Sequence, residues 1–336
     1  MARGVRPART DARPQTGRAR PSTIPGYENA IEKHLIPRLG QTPLQALAPH
    51  QLTAFYAELL ERGRCDGKGG LSLQTVRIVH GVLSRALSDA VNTQLLERNP
   101  VERARPPKRR TAEESTRKAR RFWTAEDVRT FLASITGHPF RAALHVAATT
   151  GLRRGELLGL RWEDVDTEEG RLRVEQTLVA PLGVLTFSQP KTRHGRRSVD
   201  LDAETVALLR AHRKEQLEER LVFGPAYEEN GLVFRHPDGR PIHPDVFSVA
   251  FKRAAKAAGL PPIRLHDLRH THVALLAAAG VPAKVIQERV GHHSAGFTLD
   301  NYGGTFPSQH RDAVERLAAL VGGPPERSAP SPEPAE

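Results

Sequence analysis

Apolar residues recur about every 3.6 positions through the first hundred residues, and this spacing predicts helices. The pair Ser22-Thr23 is a candidate cap for a first helix, Pro49 precedes a second, and Ser72 is positioned to cap a longer third helix. The third helix has an apolar face made of Val76, Val79, Leu83, Leu87 and Val91. We therefore expect residues 21–102 to form a helical domain without strands.

The hydrophobic period changes in the second half of the chain. Short alternating or apolar segments predict three strands of one small antiparallel sheet, at residues 171–175, 184–187 and 197–201. Helical spacing resumes at Ala203, and Pro244 and Pro282 stand where further helices begin. These patterns predict a mainly α fold with a small antiparallel β-sheet, of the α+β class.

Composition separates these structured regions from the segments around them. Residues 1–20 hold six arginines and almost no large apolar side chain, which predicts a disordered basic tail. Residues 103–121 are basic and contain a Pro-Pro pair, as an exposed linker does, and the proline-rich residues 321–336 predict a second disordered tail. The linker separates the helical domain from a second domain at residues 122–320.

Charge narrows the class of partner. The chain of 336 residues has 50 Lys and Arg against 38 Asp and Glu, and the net charge of +12 attracts polyanions such as nucleic acid or an anionic membrane surface. The longest apolar run, residues 273–281, is far shorter than the ~20 residues of a membrane-spanning helix. One cysteine, Cys65, excludes a disulfide scaffold and a cysteine-based zinc site. With no visible signal peptide, we expect a cytoplasmic protein that binds nucleic acid.

Four polar segments of the second domain are candidates for chemistry. They are residues 150–157 (TGLRRGEL), 190–197 (PKTRHGRR), 266–272 (HDLRHTH), and 291–293 (GHH) with a tyrosine nine residues further on. Each one alone also fits an ordinary structural role, such as a solvated arginine pair, a basic hairpin turn or a half-buried aromatic. His266 and His270 have the spacing of metal ligands on a helix, but they lack the glutamate of H-E-x-x-H.

Taken together and in this order, the segments resemble the tyrosine recombinases of the phage-integrase family. The resemblance covers residues 21 to about 310. The motifs that carry it are TGLRRGELLGLRWEDVD, QPKTRHGRRSVDL, HDLRHTHVALLAAAG and ERVGHHSAGFTLDNYGG. It implies a helical core-binding domain followed by a tyrosine-recombinase catalytic domain. It also implies site-specific cleavage and rejoining of DNA through a 3′-phosphotyrosine, integrating or excising a mobile element.

The resemblance implies a role for individual residues. Two arginines bind the scissile phosphate, a lysine protonates the leaving 5′-oxygen, two histidines assist, and a tyrosine attacks; the catalytic set is Arg153, Lys191, His266, Arg269, His292 and Tyr302. Glu156 stands where the family has a supporting acidic residue. The basic residues expected to contact DNA are Lys108, Arg109, Arg110, Arg193 and Arg196.

The resemblance also implies the partners. They are double-stranded DNA at attachment (core) sites and further copies of the chain, as a homotetramer on synapsed DNA, with an accessory directionality factor left open. No metal or other cofactor, and no membrane, is expected. The location would be the cytoplasm of a bacterium, at the nucleoid, whether the gene is bacterial or phage-borne. A helix with apolar Val314, Leu317, Ala318 and Val321 is expected to dock on a neighbouring protomer.

Three other interpretations stay open at this point. A relaxing topoisomerase would use the same tyrosine chemistry. A non-catalytic DNA-binding regulator would need only the helices and the charge. A metal-dependent hydrolase built on the histidine cluster would bind zinc.

Overall fold

The structure is a computed structural model that describes residues 23–106, 122–189, 195–292 and 294–302, and residues 314, 317, 318 and 321. Within the last continuous stretch, residues 297, 300 and 301 are described by their backbone alone. The chain divides into two compact units, residues 1–119 with 180–184 and residues 120–179 with 185–336.

The first unit is helical throughout its described residues. Its α-helices are α1 (Ile24–Ala30), α2 (Ile36–Leu39), α3 (Pro49–Arg62) and α4 (Leu73–Asn92), with a π-helical turn at Ile31–Leu35 and 3₁₀ turns at Leu44–Ala46 and Pro100–Arg103. The apolar faces of α3 and α4 form the core, with Leu52, Phe55, Leu59, Val76, Val79 and Leu83 buried. The helical prediction for this region is confirmed.

The predicted helix caps of this unit have different outcomes. Ser72 caps α4, since its hydroxyl accepts a hydrogen bond from the Thr75 N–H at 3.1 Å. Thr23 stands at the N-cap of α1, but its side chain makes no capping hydrogen bond, so that part of the prediction is wrong. Pro25 lies in the first turn, where its fixed φ favours the helix and its missing N–H needs no partner.

The second unit combines eight helices with two small sheets among its described residues. The helices are α5 (Ala125–Ser134), α6 (Arg141–Thr150), α7 (Arg154–Leu158), α8 (Ala203–Phe223), α9 (Pro244–Ala257), α10 (Leu265–Ala278), α11 (Ala283–Val290) and α12 (Ala295–Tyr302). The strands are β1 (Val165–Asp166), β2 (Arg171–Val174), β3 (Thr177–Val179), β4 (Thr186–Ser188) and β5 (Arg197–Asp200). The α+β expectation is confirmed, and helices begin at or beside the two predicted prolines.

The strand pairing differs from the predicted single sheet. The order β1-β2-β5 is antiparallel, with Leu172 opposite Val199, whereas β4 pairs with β3 in a separate two-stranded hairpin. All three residues of β4 are exposed, so this segment has no buried face with which to occupy the middle of a sheet. The buried residues of β2 and β5 pair directly instead.

Helix α6 runs through the core of the second unit. Every residue from Ala142 to Ala148 is buried; six of these seven are apolar, and the imidazole of His145 lies 3.1 Å from the Thr205 hydroxyl. A smaller apolar cluster lies between α10 and α11 and includes Tyr302. Among the described helices, none is both long enough and apolar enough to cross a membrane.

Candidate active site

The turn between α6 and α7 positions Arg153. Helix α6 ends at Gly151, which has φ +65° and a hypothetical Cβ only 2.7 Å from the His272 ring. Only glycine adopts this left-handed conformation without strain, and a side chain would also meet the ring. The chain then re-enters a helix with Arg153 at the N-cap, and its N–H donates to Glu156 Oε2 at 2.9 Å.

Glu156 is buried between two guanidinium groups. Arg153 Nη1 donates to Oε1 at 2.7 Å, and Arg197 Nη2 donates to Oε2 at 2.9 Å. Burial alone raises the pKa of Glu156, but the hydrogen bond and charge of Arg197, together with Arg153, lower it to about 2. The carboxylate is therefore ionised at neutral pH and holds Arg153 in place, as a supporting residue would.

Arg197 is a site residue to which the sequence motifs give no role. It lies on β5 with only 6% of its side chain exposed, and its Nε donates to the Arg289 carbonyl at 2.7 Å. Arg197 and Val199 are two residues apart on the strand and so share a face. Because Val199 is buried, this alternation indicates that Arg197 also points inward.

Helix α10 contributes the second arginine of the predicted pair. Arg269 is buried, and its Nη1 donates to the Gly151 carbonyl at 2.8 Å while its Nη2 donates to the Val290 carbonyl. Burial, together with the charge of Arg153, lowers the pKa of Arg269 to about 9. The guanidinium therefore stays protonated at neutral pH.

Both arginines meet at the end of α11. Arg153 Nη2 donates to the Gly291 carbonyl at 2.9 Å, next to the Val290 carbonyl that accepts from Arg269. Carbonyl groups at a helix C-terminus carry partial negative charge, which favours cations there. The described contacts of Arg153 engage two of its five N–H donors, and 42% of its side chain is exposed. The exposed N–H donors of Arg153 can therefore bind an anion that has several acceptor oxygens.

His292 follows at once and is buried. Gly291 ends α11 with φ +67°, and the His292 N–H donates to the Gln287 carbonyl at 3.1 Å. The imidazole Nδ1 lies 2.9 Å from the Thr298 hydroxyl, and the ring lies nearly parallel to that of Tyr302 with centroids 6.4 Å apart. The motif histidine and the motif tyrosine are thus neighbours.

Tyr302 ends α12 and is buried, with 1% of the residue exposed. Its ring packs on Phe122, and its hydroxyl contacts Nδ1 of His270. Burial and the charge of Arg153 lower the pKa of Arg269, and an ionised Tyr302 would oppose that shift, so the phenol lies within electrostatic reach of the guanidinium. The sequence motifs give His270 no catalytic role, although it lies one helical turn after His266.

His266 flanks the same group of side chains. Its ring meets the His270 ring edge-on, with centroids 4.9 Å apart. Desolvation by the surrounding protein, followed by the charge of Arg269, lowers the pKa of His266, although the residue keeps contact with solvent. The imidazole is neutral at neutral pH and offers an N–H donor.

The structure therefore brings together six of the seven predicted catalytic and supporting residues, namely Arg153, Glu156, His266, Arg269, His292 and Tyr302. The seventh, Lys191, lies outside the described residues, as do the predicted DNA contacts Lys108, Arg109, Arg110 and Arg193. Arg196 is described: it is exposed and pairs with Glu175 at 3.4 Å. Among the described side chains, no three of His, Cys, Asp or Glu form a metal-ligand group.

Comparison with protein families assigns both regions of the chain. A model described as the phage integrase family matches residues 121–306. A second, described as a phage integrase N-terminal SAM-like domain, matches residues 15–60.

Individual relatives agree with this assignment. The chain is 30% identical over 306 residues to the ICEBs1 integrase of Bacillus subtilis (strain 168), covering 90% of this chain and 79% of that protein. It is 32% identical over 308 residues to an integrase of Streptomyces ambofaciens, covering 90% of this chain and 75% of that protein.

A solved structure is similar over most of the fold. The Tn1549 transposon integrase, in complex with transposon right end DNA, has a TM-score of 0.69 and 23% identity, covering 90% of this chain and 95% of that one. The family match spans more than half of the chain. The chain therefore belongs to the phage integrase family of tyrosine-type site-specific recombinases.

Proposed function

We propose that this chain cleaves and rejoins duplex DNA by attack of Tyr302 on a phosphodiester held by Arg153 and Arg269, forming a 3′-phosphotyrosine. The observation that carries the proposal is the meeting of two guanidinium groups at the α11 C-terminus, beside His292 and the buried tyrosine. Elements far apart in the sequence contribute these groups.

The chemistry explains why these residue types are needed. Attack at phosphorus adds negative charge to the non-bridging oxygens, and two arginine forks stabilise that charge through charge-assisted hydrogen bonds. His266 and His292 donate further hydrogen bonds to the same oxygens. Glu156 and Arg197 act on Arg153, since they hold its guanidinium in one orientation before the substrate arrives.

The leaving group also needs a proton. A 5′-alkoxide is a strong base, and Lys191 supplies a proton to it in our proposal. The phosphotyrosine conserves the energy of the phosphodiester, so the 5′-hydroxyl of a second strand reverses the step and completes strand exchange. This accounts for rejoining of DNA without a high-energy cofactor.

Affinity for DNA comes in our proposal from the positive charge of the chain. Lys108, Arg109, Arg110, Arg193 and Arg196 contact phosphates on either side of the cleaved bond. The ICEBs1 and Tn1549 relatives are integrases, and the latter is bound to DNA, which supports DNA as the partner. Binding is then expected to weaken steeply with salt, because each phosphate contact releases a counterion.

We also propose assembly into a homotetramer on two synapsed duplexes. Val314, Leu317 and Val321 are helical and exposed, as an apolar face awaiting a neighbouring protomer would be. Deleting residues 308–336 is expected to abolish tetrameric synapses while leaving single-site binding. Normal synapses from the deleted chain would contradict trans docking. We further propose that the protein acts at the nucleoid of a bacterium and that an accessory factor sets the direction of the reaction.

The test of the proposed function uses nicked suicide duplexes tiled across the DNA that flanks the gene. Wild-type protein is expected to form a covalent adduct on one of them, and Tyr302→Phe is expected to bind that duplex equally well and form none. Adduct formation by Tyr302→Phe contradicts the assignment of the nucleophile.

Two-site strand exchange then tests the recombination step against the three alternatives that the sequence alone left open. A recombinase joins strands from different duplexes, whereas a relaxing topoisomerase rejoins the strand that it cut, and a regulator binds without any adduct. Loss of cleavage on adding a chelator would favour a metal-dependent hydrolase.

A further inference from the structure

The Tyr302 hydroxyl contacts the imidazole of a residue to which the family motif assigns no role. His270 is half-buried on α10, and its Nδ1 faces the phenol oxygen. The two rings lie at 38° with centroids 5.8 Å apart. We propose that His270 is the proton acceptor for Tyr302 in the cleavage step, an assignment that rests on the proposed function.

An acceptor is needed because a phenol has a pKa of about 10 and is a weak nucleophile at neutral pH. A neutral imidazole whose proton is on Nε2 presents a lone pair at Nδ1. In the cleavage step the O–H bond of Tyr302 breaks and its proton moves to Nδ1 of His270. The phenol oxygen bonds to phosphorus, and the bond to the 5′-oxygen breaks as that oxygen takes a proton from Lys191. Rejoining returns the proton from His270 to Tyr302.

The surroundings of His270 favour a transient positive charge. Asp267 precedes His270 by three residues on α10, so its carboxylate lies on the same side of the helix and attracts an imidazolium, although it also pairs with Arg264 at 3.1 Å. Burial raises the pKa of Asp267, but hydrogen bonds from Arg264 and, last, the charge of His270 bring it below its usual value. The neighbouring His266 is neutral, and it therefore does not repel the protonated ring.

The geometry favours His270 over His266 for this task. Both lie on α10, but the contact with the phenol oxygen comes from His270, whereas His266 packs on the edge of the His270 ring. His266 is exposed, so a phosphate from solvent can reach it, whereas His270 is half-buried. This difference in contacts and exposure assigns phosphate binding to His266 and proton transfer to His270.

The test replaces the imidazole by an amide. In His270→Asn the amide group stands near the place of Nδ1 and accepts a hydrogen bond, but it takes no proton at neutral pH. Single-turnover adduct formation on the duplex that wild type cleaves is expected to slow by about 10²-fold or more, the size of a lost general base. Replacing Tyr302 by 3,5-difluorotyrosine, whose phenol is more acidic, is expected to recover at least about tenfold of that loss.

Matched variants separate proton transfer from packing. His266→Asn is expected to be slow and to gain nothing from difluorotyrosine. Lys191→Ala is expected to be rescued by a 5′-bridging phosphorothiolate, whose leaving group needs no proton, whereas His270→Asn is not. Thermal unfolding of each variant checks that it is folded.

Two results overturn the assignment of His270. One is a His270→Asn variant that cleaves at the wild-type rate. The other is a slow variant whose deficit is unchanged by difluorotyrosine, since that deficit would come from packing alone. A wild-type protein that forms no adduct on any duplex overturns the proposed function first, and this assignment with it.

Discussion

Glu156 offers the sharpest test of how the site is held together. The carboxylate is 5% exposed and accepts hydrogen bonds from the Arg153 backbone, the Arg153 side chain and the Arg197 side chain. Glu156→Gln keeps the shape and removes the charge. Two guanidinium groups are then left beside each other without a counter-charge, and that of Arg197 is buried.

The size of the effect follows from the pKa of Glu156. A decrease from 4.5 to about 2 corresponds to roughly 3 kcal/mol of stabilisation of the ionised form. Removing one member of a buried ion pair costs about 3–5 kcal/mol, which agrees. We therefore expect Glu156→Gln to lower the free energy of unfolding by about 3 kcal/mol at pH 7.

The effect has a defined pH dependence. Because the folded-state pKa lies below that of the unfolded carboxyl group, the stabilisation is complete above about pH 4.5 and is lost as the pH falls toward about 2. The difference between wild type and Glu156→Gln is therefore expected to shrink over this range.

Urea denaturation followed by tryptophan fluorescence measures this directly. The chain has two tryptophans, Trp123 and Trp162, and both lie in the second unit, so the signal reports that unit. Glu126→Gln is the matched control: Glu126 pairs with Arg129 at the same i,i+3 spacing, but both side chains are about 70% exposed. That pair is expected to contribute about 0–1 kcal/mol. A loss for Glu156→Gln no larger than the control, or one independent of pH, would refute the reasoning.

Three further predictions concern the shell around the arginines. Gly151→Ala is expected to destabilise the second unit by about 2 kcal/mol in urea, because alanine is strained at φ +65° and its Cβ meets the His272 ring; an unchanged midpoint would contradict this. Thr298→Val removes the hydroxyl beside His292 Nδ1, so a loss of about 1 kcal/mol and slower cleavage at unchanged DNA affinity are expected, to be checked by single-turnover and binding assays. Burial, with the charge of Arg289, lowers the pKa of His272 in the folded protein to about 3. Below about pH 6.5 the unfolded chain therefore binds a proton at His272 that the folded chain does not bind. The free energy of unfolding should decrease as the pH falls from about 6.5 to about 3. Urea titrations at several pH values should show a smaller decrease for His272→Asn.

The sequence predicted the fold class and the motif residues because both depend on local pattern. Helical periodicity identified the helices of the first unit, and a proline or a capping serine marked several helix starts. The order of the four motifs indicated which arginines, histidines and tyrosine belong together.

The strand pairing could not be predicted from local pattern. Strand β1 is two residues long and carries no periodic signal, yet it forms the edge of the sheet beside β2. The exposed strand β4 pairs with β3, the strand just before it in the chain, and alternation of residues does not encode that choice of partner. Pairing depends on which buried faces meet in the folded chain.

The side-chain contacts within the site depend on tertiary packing in the same way. His270 follows His266 by four residues, but only the packing of α12 against α10 places the Tyr302 hydroxyl against it. Arg197 looks like one more cation of a basic hairpin in the sequence. The structure turns it inward, because Val199 on the same strand face is buried, and there it bonds to Glu156.

The most direct test of the central assignment is to identify the amino acid linked to DNA. The trapped adduct is digested with trypsin, and the DNA-linked peptide is sequenced by mass spectrometry. We predict a peptide spanning residues 290–311, in which Tyr302 is the sole tyrosine, attached to a 3′-phosphate and leaving a free 5′-hydroxyl. Linkage through Tyr27, Tyr56 or Tyr227, or attachment to a 5′-phosphate, would contradict the account.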